Sequence, residues 1–234
     1  MSNPTLKCQV SLIEPLTPYV FKVQLTPSEP VNFVAGQYIT VVMGDDDFRA
    51  FSIASTPSQG HIIELHIGAT PENPYAWEVM QLMQERGEVT ITVPAGTAGL
   101  RDSERPLIIL AGGTGFSYAW SIAAAQLETE QKHQVLFYWG GKTLHDLYAH
   151  EELLALEKTD SRFKYFPVLE ETPENWQGHQ GLVHLAVLTD HDNLAGFDVY
   201  VAGRFEMVRV VRDDFFQHNL PAEQLFGDAL SYLD

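Results

Sequence analysis

Residues 107–120, LIILAGGTGFSYAW, constrain the fold more than any other stretch of the chain. A continuous apolar run of strand length, 107–111, leads into Gly112, Gly113 and Gly115, and an amphipathic helical pattern begins at Tyr118. A strand, a tight turn and a helix N-terminus in that order present backbone N–H groups at the positive end of a helix dipole. Glycines there let a phosphate or a flat ring approach the main chain. The spacing departs from the dinucleotide fingerprint G-x-G-x-x-G, because the three glycines crowd together and Tyr118 fills the place of the last one. On this segment alone three readings stay open. They are a dinucleotide-binding turn, a turn that needs glycine only for packing, and a nucleophile elbow, since Gly115-Phe116-Ser117-Tyr118-Ala119 nearly matches G-x-S-x-G.

From residue 107 onward, strands at 107–111, 135–139, 163–168 and 198–202 alternate with helices near 118–128, 147–158, 182–190 and 206–217. That alternation predicts a parallel sheet covered on both faces, whose ligands bind at the carboxyl ends of its strands. Gly112-Gly113, Gly140-Gly141 and Gly203 stand at or just past three of those ends.

The first part of the chain follows a different pattern. Short strands are predicted at 8–13, 20–25, 38–43, 50–53, 62–67 and 89–93, with breaks carrying Pro15, Pro18, Pro27, Pro30, Gly36, Gly44, Pro57 and Gly60. One helix interrupts them, capped by Asn73, with Pro74 at its first position, Trp77, Met80 and Val79 or Met83 inward, and Gly87 as its stop. Six strands and one helix predict a small antiparallel barrel. The polar stretch 97–106 marks the boundary, so the expected domains are 1–98, a barrel, and 104–234, an α/β domain.

Composition narrows the chemistry. Cys8 is the only cysteine in 234 residues, which removes internal disulfides, CxxC redox pairs and cysteine-ligated clusters, so redox chemistry requires a borrowed cofactor. A formal charge of −17 argues against nucleic acid and anionic lipid as partners. No apolar run approaches the ~20 residues of a membrane span and no signal segment opens the chain, so a cytoplasmic location is expected. No H-E-x-x-H occurs, and the histidine pairs 145/150 and 179/184 are spaced wrongly for one helical face, so no metal site is expected.

Between Lys22 and Arg86 the only basic residue is Arg49, followed by Ala50, Phe51 and Ser52. One reading pairs Arg49 with Asp45-Asp46-Asp47 on a surface turn. Another assigns it to a ligand site together with His66-Ile67-Gly68, a strand end where glycine again opens the backbone. For His66 a satisfied strand-end histidine remains the competing reading.

The barrel with Arg49-Ala50-Phe51-Ser52, followed by Gly112-Gly113-Thr114-Gly115 and Ala202-Gly203-Arg204-Phe205-Glu206-Met207, resembles the ferredoxin–NADP reductase superfamily. The strings AGQY (35–38), FSIASTP (51–57), ELHIGA (64–69), ERPLIILAGGTGFSYA (104–119), YWGG (138–141), AGRFEM (202–207) and LFGDA (225–229) are similar to bacterial NAD(P)H:flavin oxidoreductases, including those of luminous bacteria. They span nearly the whole chain. The resemblance implies a β + α/β fold, with an antiparallel six-stranded flavin-binding barrel followed by a parallel-sheet, ferredoxin reductase-like domain for NADH or NADPH.

It also implies residue roles. Arg49, Ala50, Phe51 and Ser52 would line the isoalloxazine ring, with the Ser52 hydroxyl on flavin N5, and His66, Ile67 and Gly68 would border the same cleft. Gly112, Gly113, Thr114, Gly115 and Ser117 would admit the nicotinamide nucleotide, supported by Gly203, Arg204, Phe205 and Met207. Two departures matter. Pro71 replaces a backbone donor near the flavin's tail, so the flavin, whether riboflavin, FMN or FAD, would be a loosely held substrate. Ala202 stands where many relatives carry cysteine, leaving Ser52, Thr114 and Asp228 to align the rings.

The implied activity is hydride transfer from nicotinamide C4 to flavin N5 by a monomer, with reduced flavin passing to ferric complexes, oxygen, a monooxygenase or a luciferase. Three alternatives stand beside it: an electron-transfer reductase that holds FAD or FMN and serves a protein partner, a non-catalytic nucleotide-binding subunit, and a hydrolase using Ser117 with His191 or His218.

Overall fold

The computed structural model describes residues 4–233. They pack as two units, one running through Leu100 and including Trp120–Ala125, the other comprising Arg101–Ala119 and the chain from Gln126.

The first unit is built on strands β1 (Thr5–Pro15), β2 (Val20–Pro27), β3 (Tyr38–Val42), β4 (Phe48–Ser52), β5 (Ile63–Gly68) and β6 (Glu88–Thr92) in the order β4-β3-β6-β1-β2-β5. Every pairing in it is antiparallel. Alternate residues point inward to one apolar core, including Val23, Leu25, Ile39, Val41, Ile63, Leu65 and Ile67. Helix α1 (Pro74–Arg86) closes that core with Ala76, Val79, Met80 and Met83. Gly87 ends it in the left-handed conformation (φ +66°), its N–H donating to Met83 O. The Asn73 side chain makes no cap hydrogen bond, against expectation, and the helix begins instead from the Asn73 carbonyl, which accepts from Trp77 N–H at 3.0 Å.

The two edges of this sheet, β4 and β5, run antiparallel to each other and meet at one end only. Ala54 N–H donates to Glu64 O (2.7 Å), and the Ser55 hydroxyl donates to Ile62 O while accepting from Glu64 N–H. Counting back along β4 and forward along β5 brings Ser52 opposite His66 and Ala50 opposite Gly68, but no ladder joins them there. The barrel therefore has an unzipped seam.

The second unit is a parallel sheet of β7 (Leu107–Gly112), β8 (Val135–Gly141), β9 (Phe163–Leu169), β10 (His179–Gln180), β11 (Asp198–Ala202) and β12 (Leu225–Phe226), in the order β10-β9-β8-β7-β11-β12. Its helices are α3 (His150–Thr159), α4 (Val183–Asp190) and α5 (Phe205–Gln217), together with the two ends of α2 (Phe116–Leu127), whose middle counts with the first unit. α4 and α5 bury Val183, Val187, Val208, Val211 and Phe215 on the face made by Ile108, Leu110, Tyr138 and Val201. The chain leaves β7 for β8 and β9 on one side and returns to β11 on the other, so the order reverses between β7 and β11. In open sheets that reversal opens a crevice at the strands' carboxyl ends. β10 and β12 were not expected, because two-residue strands carry no readable period.

Candidate functional site

In the barrel, the residues predicted to meet a flat ring all border the unzipped seam. Ile53 N–H bonds back to Gln37 O beside β3, so by strand alternation the N–H groups of Ala50 and Ser52 point away from β3, toward the seam. Ala50 N–H is taken at 2.6 Å by the hydroxyl of Tyr75, from the first turn of α1, whose ring also packs against Phe51. Across the seam, His66 Nε2 lies 3.1 Å from Glu64 Oε1, the satisfied arrangement that competed with a ligand role. Ile67 points its side chain into the barrel core and is 1% exposed, so only its backbone can border the seam. Gly68 ends β5 there.

Arg49 is fully engaged within the protein. Its Nε and Nη2 donate to the two oxygens of Asp47 (2.9 and 2.7 Å), Nη2 also to Glu78 Oε2 (2.6 Å), and Nη1 to the carbonyls of Pro74 and Tyr75 (3.0 and 2.8 Å). The pairing with the Asp45–Asp47 turn, one of the two readings left open by the sequence, is present at Asp47. The neighbouring guanidinium holds the Asp47 carboxyl below the usual carboxylate range.

In the second unit the glycine turn lies at the carboxyl end of β7, beside the point of strand reversal. Each glycine serves a different need. Gly113 has φ +53° with open space around it, so it is there for its backbone conformation. Gly115 is there for close approach, since a Cβ would sit 2.4 Å from Ala202 O of β11. At Gly112 and Gly203 a Cβ would meet the same atom, Met207 Sδ, at 2.6 Å. Met207 thus fills the space beneath two glycines, a packing role the sequence did not disclose. Gly113 and Thr114 are exposed, as are Arg204 and Phe205 at the start of α5, where Phe205 meets Tyr232 edge to face.

One contact missed from sequence, and two residues named from it, complete this site. Trp139 Nε1 donates to Gly113 O at 3.1 Å, and the indole packs with Phe116 and Tyr148 beneath the turn. Ser117, 2% exposed in the first turn of α2, is the one buried side-chain polar atom without a hydrogen-bond partner among the described residues. Burial pushes the Asp228 carboxyl up to about 6, and its charge helps to hold the fully buried Tyr118 phenol un-ionised. YWGG was visible as a string, but nothing local marks its tryptophan as a donor to a turn 26 residues away.

The hydrolase geometry does not form. His191 Nε2 lies by the Tyr138 hydroxyl and His218 Nδ1 by Asp192 O, while Ser117 Oγ touches neither.

Residues 109–213 match the oxidoreductase NAD-binding domain family. The chain is 42% identical to an NAD(P)H-flavin reductase of Vibrio harveyi, with 98% of this chain and 100% of that protein covered. It is 43% identical to an NAD(P)H-flavin reductase of Aliivibrio fischeri, covering 97% and 99%. This chain belongs to the NAD(P)H-flavin reductase family. The same fold recurs in a solved Amycolatopsis cytochrome P450 reductase, with a TM-score of 0.86 over 97% of this chain and 71% of that one at 24% identity. As a member of the NAD(P)H-flavin reductase family the protein must accommodate a nicotinamide nucleotide, and the second unit fits one. It offers an orphaned buried hydroxyl at a helix N-terminus and a turn whose exposed glycine has room around it. The seam, with the Ser52 N–H directed along an open sheet edge, fits a planar heterocycle that carries acceptors. Among the described residues no helix is long and apolar enough to cross a membrane.

Proposed function

We propose that the protein uses NADH or NADPH to reduce free riboflavin or FMN, the barrel of residues 1–98 taking the flavin and residues 104–234 the nucleotide. When both are bound, the nicotinamide supplies a hydride from C4 and the flavin accepts it at N5. The observation that carries this reading is full-length similarity above 40% to two NAD(P)H-flavin reductases, supported by a seam and a glycine turn suited to the two rings.

The chain's own residues bind and orient. The Ser52 hydroxyl, at the end of β4, hydrogen-bonds flavin N5, and Phe51 gives the ring an apolar flank. Ala50, His66, Ile67 and Gly68 border it through backbone and side-chain edges. Arg49 acts indirectly, by fixing Tyr75 and the first turn of α1 against β4. Gly112, Gly113, Thr114, Gly115 and Ser117 receive the nucleotide through N–H and hydroxyl donors, and Gly203, Arg204, Phe205 and Met207 support it from the turn after β11 and the start of α5. Asp228, half-buried and with its pKa raised to about 6, keeps its proton into mildly acidic pH and serves alignment together with Ser52. Lys142, directly after YWGG, is already paired with Glu171 at the surface, so nothing in that loop demands the 2′-phosphate of NADPH.

Such an enzyme works as a cytoplasmic monomer and releases reduced flavin to ferric complexes, oxygen, a flavin-dependent monooxygenase or a luciferase. The deciding test is purification followed by a nucleotide oxidation assay. Colourless protein that oxidises NADH only when riboflavin or FMN is added supports this reading. Tightly held yellow flavin and activity toward an iron–sulfur protein would support the electron-transfer reductase instead.

A further inference from the structure

Residues 23–85 carry eight acidic side chains and one basic one, Arg49. The structure spends that single cation on two of the acids. All five guanidinium N–H groups are used, two on Asp47, one on Glu78 and two on the carbonyls of Pro74 and Tyr75. The Arg49 side chain is 12% exposed, whereas those of Asp47 and Glu78 remain about half exposed, at 46% and 49%. Asp47, Arg49 and Glu78 together carry a net charge of −1, and its outward side is carboxylate oxygen.

Arg49 shares β4 with Ser52, while Asp47 just precedes that strand and Glu78 reaches it from α1. Three residues of strand span roughly 10 Å, close to the reach of a ribityl chain and its terminal phosphate from the ring. We infer that Glu78, together with Asp47, is a specificity-determining residue. By occupying Arg49 it converts the barrel's lone cation into an anion-excluding latch, so the seam favours a flavin with an uncharged tail over one ending in phosphate. The inference rests on the reading of the seam as the flavin site. An arginine left free at this position would attract a phosphate bidentately. Saturated and flanked by carboxylates, it offers a phosphate no donor and faces it with like charge. Near the surface such like-charge repulsion weakens binding several-fold, and added salt screens it.

The test is the ratio of KM for FMN to KM for riboflavin, measured at low salt and at about 0.5 M sodium chloride, where exposed charges are largely screened. The proteins compared are the wild type, Glu78→Gln, and Asp47→Asn with Glu78→Gln. The wild type is expected to show a ratio well above one that falls with salt. Glu78→Gln should lower it about three- to tenfold, and the double variant further still, because Arg49 is then released. A ratio that neither variant nor salt changes, while riboflavin is still reduced, overturns the inference and leaves the flavin-site reading standing. Should the wild type reduce no free flavin at all, both fall. Glu78→Gln compared with the wild type at the two salt concentrations decides the matter even if the double variant does not fold.

Discussion

The indole Nε1 of Trp139, at the end of β8, donates to the carbonyl oxygen of Gly113 at 3.1 Å. That oxygen also accepts from Phe116 N–H, so one carbonyl ties the glycine turn to both α2 and the neighbouring strand. Gly113 is in the left-handed region, where the backbone has little local preference, and the tryptophan helps to select its orientation. Trp139→Phe keeps the aromatic packing and deletes the donor. KM for NAD(P)H should rise about two- to tenfold, while kcat and KM for flavin change little. Steady-state kinetics with each substrate varied in turn separates this outcome from general damage, which would lower all three parameters and the melting temperature together.

Gly113 and Gly115 should respond differently to alanine. At Gly113 there is space but a positive φ, costing on the order of 1–2 kcal/mol. At Gly115 a Cβ collides with the backbone of Ala202, which cannot swing away as a side chain would, and overpacking of this kind costs about 1–3 kcal/mol or more. Urea unfolding should therefore rank Gly115→Ala as the less stable variant. Equal stabilities would mean that β7 and β11 separate easily at this point.

Burial raises Asp228 from 3.8 to about 6, so between those values the folded protein holds a proton that the unfolded chain has released. Stability contributed by this group is present below pH 4 and lost as pH rises through 6. Asp228→Asn should consequently stabilise the protein at pH 7.5 by on the order of 1 kcal/mol, after allowance for the carboxyl's partial contact with water, and give nothing at pH 4. Thermal unfolding at the two pH values reads the difference directly.

Ser52→Ala should slow reduction of flavin about tenfold or more and alter the flavin Kd by less than threefold, because the hydroxyl contributes alignment at N5 more than affinity. Rapid mixing of NADH with enzyme and riboflavin measures the step. An unchanged rate would remove Ser52 from the site.

Much of the architecture was legible before folding. Apolar alternation in residues 8–93 and the strand–helix rhythm after 107 are local patterns, and Gly87 stopped α1 as its left-handed conformation requires. The candidate site was legible only as a set of names. Arg49 read first as a ligand contact, with a pairing to the acidic turn as the competing reading. The choice depended on Glu78, 29 residues away, and on two carbonyls of α1. Ile67 looked like part of a cleft because it lies between His66 and Gly68, yet strand alternation turns its side chain into the core.

Element type and order came from the chain's local periodicities, since hydrophobic spacing and turn chemistry act over a few residues. Which glycine allows a positive φ and which a close approach, what Met207 fills, which carbonyl Trp139 holds and where the barrel stays unzipped belong to the tertiary structure alone. Each of those depends on distances between atoms many residues apart, and only packing sets such distances.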